Sequence, residues 1–218
     1  MHIFLRYLGL IVAVIPCIAG LVRSRRLGKT YQPLFLLFLA GFVTEIISVY
    51  LAYFRNISNA GVTNTYALVE WIFIFWQFRN WGFLRTRKEI AFVILATPCI
   101  VWVAENLIFG RMTNFSPYFR IFSCFNIVLL SVTKINFMIT HDNRKLLGHP
   151  DFLFCIGFII YFVYDIVYEW AYQSSLGGNP PEITSTIIFL FGYINALTNI
   201  IFAIAFLRIP SPKKFTLW

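Results

Sequence analysis

Glu45, Glu70, Glu105, Arg120, Asp165 and Glu169 all sit inside long apolar runs. Ionisable groups are costly at such positions, and where they occur they face a bundle interior or a water-filled cavity. Asp165 and Glu169 are four residues apart and share one helix face, a stripe that Tyr161 and Tyr172 extend. Tyr66, Glu70, Phe73 and Gln77 form a comparable stripe. Asn195 and Asn199 form a third, with Gly192 one turn earlier permitting close helix approach. Asn126 adds an amide from a further run. Several carboxylates against one guanidinium cannot all carry full charge in a low-dielectric space. The set therefore calls for a bound cation, a cationic ligand, shared protons or water, with Arg120 offsetting one or two acids through a forked hydrogen bond. Two kinds of function fit: a pocket for a small polar or cationic ligand, or a proton-linked relay. Interhelical glue, worth about 1 kcal/mol per contact, fits equally well.

Other chemistries lack their residues. Three histidines, His2, His141 and His149, lie outside the apolar runs, so a histidine-rich zinc site inside the bundle is not expected. His141 and His149 beside Asp142 and Asp151 read as a solvated loop. No G-x-S-x-G stretch marks a serine nucleophile and no glycine-rich loop cradles phosphate. A lipid-modifying enzyme with Asp165 or Glu169 as general base would need a nucleophile or metal that is not in evidence. Cys17, Cys99, Cys124 and Cys155 each occupy a different apolar run with no C-x-x-C pair, which is the pattern of small buried packing residues. Lys134 lies within snorkelling reach of one end of its run. The expectation is no catalytic residue, no metal and no cofactor.

The elements that must carry these residues are helices in lipid. The chain is 59% hydrophobic and 12% charged, with mean hydropathy +0.75; a soluble domain carries about 25% charged residues. Long apolar runs are predicted as spans at about Ile3–Val22, Pro33–Phe54, Thr65–Leu84, Ile90–Phe109, Pro117–Ile139, Phe152–Tyr172 and Ile183–Leu207. They use most of the 218 residues, so a single domain over 1–218 is expected, all-α and polytopic. The first run has its basic cluster after it and no A-x-A site, and is read as a retained span rather than a signal peptide. Pro33, Pro117 and Pro181 fall at helix starts; Pro16 and Pro98 fall inside spans and should kink them. Ile15-Pro16-Cys17-Ile18 resembles Thr97-Pro98-Cys99-Ile100, a similarity too short to define an inverted repeat.

Orientation follows from the loop cations. One side collects Arg23, Arg25, Arg26, Lys29, Arg85, Arg87, Lys88, Arg144, Lys145, Arg208, Lys213 and Lys214, the other only Arg6, Arg55 and Arg111. The crowded side is expected to be cytoplasmic, with the N-terminus outside and the C-terminus inside. This distribution, not nucleic-acid binding, accounts for the net charge of +9. Trp71, Trp81 and Trp170 near span ends read as headgroup anchors. Asn56 and Asn114 begin N-x-S sequons on the outer side. With a rise of about 1.5 Å per residue, Glu70, Glu105, Arg120, Asp165 and Glu169 fall roughly 4–10 Å from the outer boundary, Asn126 roughly 14 Å deep and Glu45 near mid-membrane. The expected protein is a seven-span module of the plasma or inner membrane. Its outer polar layer would bind a small polar or cationic ligand and signal through a cytoplasmic or membrane protein partner. A small transporter and a structural subunit of a membrane complex are the alternatives.

Overall fold

Runs of about twenty apolar residues must bond their own backbone when no water is at hand, and an α-helix does this within one segment. The computed structural model describes residues 2–82, 87–110, 112, 114–141, 146–175 and 182–210, with the side chains of 2–10, 26, 53, 174, 175, 182 and 188 left aside. Among the described residues there are seven long helices and no strand: α1 His2–Val22, α2 Ser24–Tyr50, α3 Ala60–Asn80, α4 Lys88–Val103, α5 Pro117–His141, α6 Pro150–Ser175 and α7 Glu182–Leu207. Short π-helical segments continue α2 (Leu51–Arg55) and α4 (Ala104–Ile108), and a single 3₁₀ turn, Leu146–Gly148, precedes α6. Arg85, Arg111, Asp142, Arg144, Lys145, Pro181, Lys213 and Lys214, used in the sequence expectations, lie outside the described residues.

Neighbours in sequence pack as neighbours in space. α1 lies against α2 and α7, α2 against α3, α3 against α4 and α5, α5 against α6, and α6 against α7. The helices thus close into a ring. Five stretches are long and apolar enough to cross a membrane: Leu27–Tyr50, Lys88–Ile108, Pro117–His141, Pro150–Gln173 and Ile183–Leu207. Among the described side chains of α1, Ile11–Val22 is an apolar stretch, and α3 is diluted by Asn64, Glu70 and Gln77. Large apolar side chains stay exposed on every helix, among them Ile18, Val43, Ile72, Phe92, Phe125, Val163 and Ile204. A perimeter of this kind suits acyl chains, and in water it would be one continuous sticky patch.

The departures from regular helix fall where the sequence weakens the backbone. α2 is interrupted at Gly28, whose φ of +54° and ψ of −178° no other residue adopts cheaply. Five residues on, Pro33 has no N–H for the Lys29 carbonyl. That carbonyl accepts from Asn80 Nδ2 at 3.1 Å, and the next one, Thr30, accepts from Gln77 Nε2 at 2.9 Å. The end of α3 therefore supplies the bond that the Lys29 carbonyl lacks and adds a second to Thr30. The predicted start of this span at Pro33 was late because the helix resumes just after Gly28.

The core is an aromatic wall. Phe154 of α6 meets Phe202 and Phe206 of α7 at ring-centre distances of 6.1 and 5.0 Å, and Phe38 of α2 reaches the same two rings at 5.0 and 5.5 Å. Gly157 makes this possible, since a Cβ there would overlap the Phe202 ring. Trp71 and Trp81 are not headgroup anchors. Trp71 is fully buried and donates through Nε1 to the Leu95 carbonyl at 3.3 Å, in the α4 turn that Pro98 disturbs; Trp81 packs edge-on against Phe78. Trp170 is exposed, as an anchor requires.

Candidate functional site

A cavity of about 130 Å³ opens inside the ring. Its polar lining comes from Glu45 of α2, Tyr66 and Glu70 of α3, Tyr161 of α6, and Asn195 and Asn199 of α7; its apolar lining includes Phe38, Phe42, Phe158, Phe162 and Phe202. Each polar residue reaches it for a local reason. Tyr66 and Glu70 are one turn apart on α3, as are Asn195 and Asn199 on α7. Gly41 on α2 leaves the space that the Tyr66 hydroxyl occupies: a Cβ there would sit 2.7 Å from Tyr66 Oη. Tyr66 Oη lies 3.5 Å from Glu70 Oε1, too long for a full hydrogen bond. Asn199 Nδ2 donates to Asn195 Oδ1 and to the Asn195 carbonyl, both at 2.8 Å. Among the described residues, Glu45 and Glu70 make no ion pair.

One turn along α6 from Tyr161 is a charged brace. Arg120 of α5 bonds Asp165 through Nη2 at 3.1 Å and pairs with Glu169 through Nε at 2.8 Å. Asp165 is 1% exposed and Glu169 4%. Cys124, one turn from Arg120, donates its thiol to Asp165 Oδ2 at 3.3 Å. Asp165 Oδ1 accepts no hydrogen bond. Arg120 spans both acids of the α6 stripe, with a hydrogen bond to Asp165 and an ion pair without hydrogen-bond geometry to Glu169.

Glu105 and Asn126 do something else. Glu105 is buried at the start of the π turn after α4 and accepts from the backbone N–H groups of Tyr118 and Phe119, at 3.3 and 2.8 Å. A carboxylate on the free amides at the start of α5 is a cap supplied by another helix. Asn126 turns its amide back to the Phe122 carbonyl of its own helix at 2.8 Å. Neither lines the cavity. The stripes also divide: Phe73 stacks on Trp76, Gln77 serves α2, and Tyr172 packs against Phe115.

Two polar clusters gave no signal in the sequence. The first is at the Arg120 end. Asn64 donates to Asn106 Oδ1 at 3.0 Å and to the Asn114 carbonyl at 2.8 Å, while Ser116 bonds Asn106 through its hydroxyl at 2.7 Å and Asn64 through its N–H at 3.2 Å. Ser116, the third residue of one sequon, is fully buried here, whereas Asn114 itself is exposed. The second cluster is at the opposite end and corrects two expectations. Lys134 does not snorkel, and Asp151 is not in a solvated loop. Lys134 is 8% exposed, donates to the Trp81 carbonyl at 3.3 Å and faces Asp151 Oδ2 at 3.9 Å; Asp151 Oδ1 accepts from Tyr31 Oη at 2.6 Å. Gln77 Oε1 and Trp81 Nε1 are buried there without a hydrogen-bond partner. Asp151 was misjudged because it follows the polar stretch 142–149 directly. It is nevertheless in the first turn of α6 and points inward.

The four cysteines are free thiols; Cys17 donates to the Phe38 carbonyl at 3.2 Å, and Cys124, rather than being only a packing residue, belongs to the charged brace through Asp165. Among the described residues no three metal-binding side chains gather at one point. His141 instead stacks on Phe137 of its own helix, with ring centres 4.3 Å apart. In comparisons with models of protein families, with curated proteins and with solved structures, nothing matches this chain.

Proposed function

We propose that the chain is a receptor-like binding module of the cell membrane. On this reading all seven helices span the bilayer, with the N-terminus outside and the C-terminus in the cytoplasm. A small polar or cationic solute enters the acidic cavity, and the resulting helix shift passes to a separate cytoplasmic or membrane partner. The observation that carries the reading is the cavity itself. It is framed by carboxylates, amides and hydroxyls from four helices, while the nearby arginine is committed to Asp165 and Glu169. A solute touching α2, α3, α6 and α7 at once biases their relative positions by whatever differential affinity it has for the two arrangements. The test is thermal stabilisation of the purified protein in detergent by a panel of small amines, amino acids, polyols and inorganic cations. At least one should raise the melting temperature in the wild type and fail to do so in Glu45→Gln. No stabilisation across the panel would remove the reading.

A second reading, transport, is favoured by one observation. Beyond the aromatic wall formed by Phe154, Phe158 and Phe202, the Lys134–Asp151–Tyr31 cluster provides another polar station, beside the unpartnered Gln77 Oε1 and Trp81 Nε1. A path needs such stations at more than one depth. Uptake of the stabilising solute into proteoliposomes, above empty vesicles, would turn binding into transport.

A further inference from the structure

We infer that the ligand of the cavity is a small organic ammonium ion; this rests on the binding reading above and narrows it to one chemical class. Three features of the lining select it. Glu45 and Glu70 reach the space from neighbouring helices, and neither is matched by an ion pair among the described residues. A positive charge placed between them is attracted by both, in surroundings where that attraction is poorly screened. Most of the remaining wall is aromatic. Phe42, Tyr66 and Tyr161 come from three different helices, and aromatic rings attract a cation through their faces. Such a wall serves a methylated or primary ammonium, whose charge is spread over C–H and N–H groups. Sodium, potassium and calcium demand a full shell of oxygens; here the oxygens of Glu45, Glu70, Tyr66, Tyr161, Asn195 and Asn199 share the wall with rings and aliphatic groups, which suits an ammonium that binds through contact as well as charge. Asn195 and Asn199 supply the only neutral amide oxygens, and Asn195 Oδ1 already accepts from Asn199.

Size narrows the class further. Pockets for drug-sized molecules run to about 300–1,000 Å³, whereas this one is about 130 Å³. A quaternary or primary ammonium with a few carbon atoms fits; an extended polyamine or a nucleoside does not. Tyr161 lines the cavity and lies one turn from Asp165 on α6, so a bound ammonium sits one helical turn from the Arg120 brace and its α5–α6 contact.

The experiment uses the full-length protein in lipid nanodiscs and isothermal titration at constant ionic strength. The probes are tetramethylammonium and methylammonium chloride, sodium and potassium chloride, and tert-butanol as an uncharged molecule of similar shape. Tetramethylammonium or methylammonium should bind at least about tenfold more tightly than tert-butanol, and Glu45→Gln should weaken this by a comparable factor. Phe42→Leu keeps an apolar side chain and removes a ring face; it should weaken ammonium binding by about fivefold while leaving thermal stability near wild type. This variant keeps the test valid should Glu45→Gln misfold. If sodium, potassium or a neutral solute binds instead and loses affinity in Glu45→Gln, the ammonium inference falls and the binding module stands. If no probe binds and the wider solute panel is equally silent, both fall together.

Discussion

Arg120 is the residue on which most buried charge depends. Its guanidinium faces Asp165 and Glu169 at 3.1 and 2.8 Å, and both acids are almost wholly withdrawn from the surface. Removing the cation while keeping the acids leaves two uncompensated groups in a low-dielectric space, a change that costs about 3–5 kcal/mol for a buried pair. Arg120→Met should therefore shift unfolding in mixed detergent micelles to markedly lower denaturant. The triple variant Arg120→Met, Asp165→Asn, Glu169→Gln, which removes the charges together, should recover most of the loss. A single variant as stable as wild type would show that the brace contributes nothing. The sequence made this site partly legible, since four-residue spacing put the two acids on one face and the scarcity of cations in the spans pointed to Arg120. It could not tell which acids Arg120 takes and which line the cavity, because that depends on how far each helix is rotated. Glu105 shows the same limit: its depth was readable, but its role as a cap on α5 depends on where a different helix begins.

Helix positions were the most legible feature of all, because backbone bonding in apolar surroundings leaves few options. Predicted spans and observed helices coincide within a few residues along most of the chain. The exceptions have local causes, namely the positive φ at Gly28 and the two π segments, which leave no pattern in hydropathy. The contact between α6 and α7 illustrates what composition alone does not reveal. Gly157 reads as an unremarkable small residue, yet the Phe202 ring occupies the place its Cβ would take, and that ring in turn packs on Phe38, Phe154 and Phe158. Adding one methyl group there forces a ring held on several sides to move. Gly157→Ala should destabilise the protein by about 1–3 kcal/mol, as overpacking does. Gly157→Ala with Phe202→Leu should be more stable than the sum of the two single changes, measured by the same unfolding titration. Strict additivity would mean that the ring has room to turn aside.

At the scale of the whole molecule, the open matter is how many helices cross the membrane, and α3 decides it. Hydropathy alone does not select α3, because Asn64, Glu70 and Gln77 lie along it. The structure shows where those groups go. Asn64 bonds Asn106 and Ser116 beside the start of α5, and Gln77 and Asn80 bond the carbonyls at the start of α2. These partners lie at opposite ends of the apolar helices α2 and α5, so α3 runs the same distance that they do. Its polar groups are turned inward, where Asn64 and the Gln77 amide nitrogen find partners and Glu70 faces the cavity. A helix with these bonds at both ends cannot lie along one face of the membrane without losing one set. On the reading proposed above all seven helices cross, an odd number, and the basic loops put the N-terminus outside and the C-terminus inside. An epitope tag at the N-terminus should be labelled by antibody on intact cells, whereas a tag at the C-terminus should require permeabilisation. If both tags are labelled on the same side, one helix fails to cross, and α3, which hydropathy alone does not select, is the first candidate. In that event the ring seen here would have to open in the bilayer, and the cavity framed by Glu45, Glu70 and Asn195 would lose one of its walls.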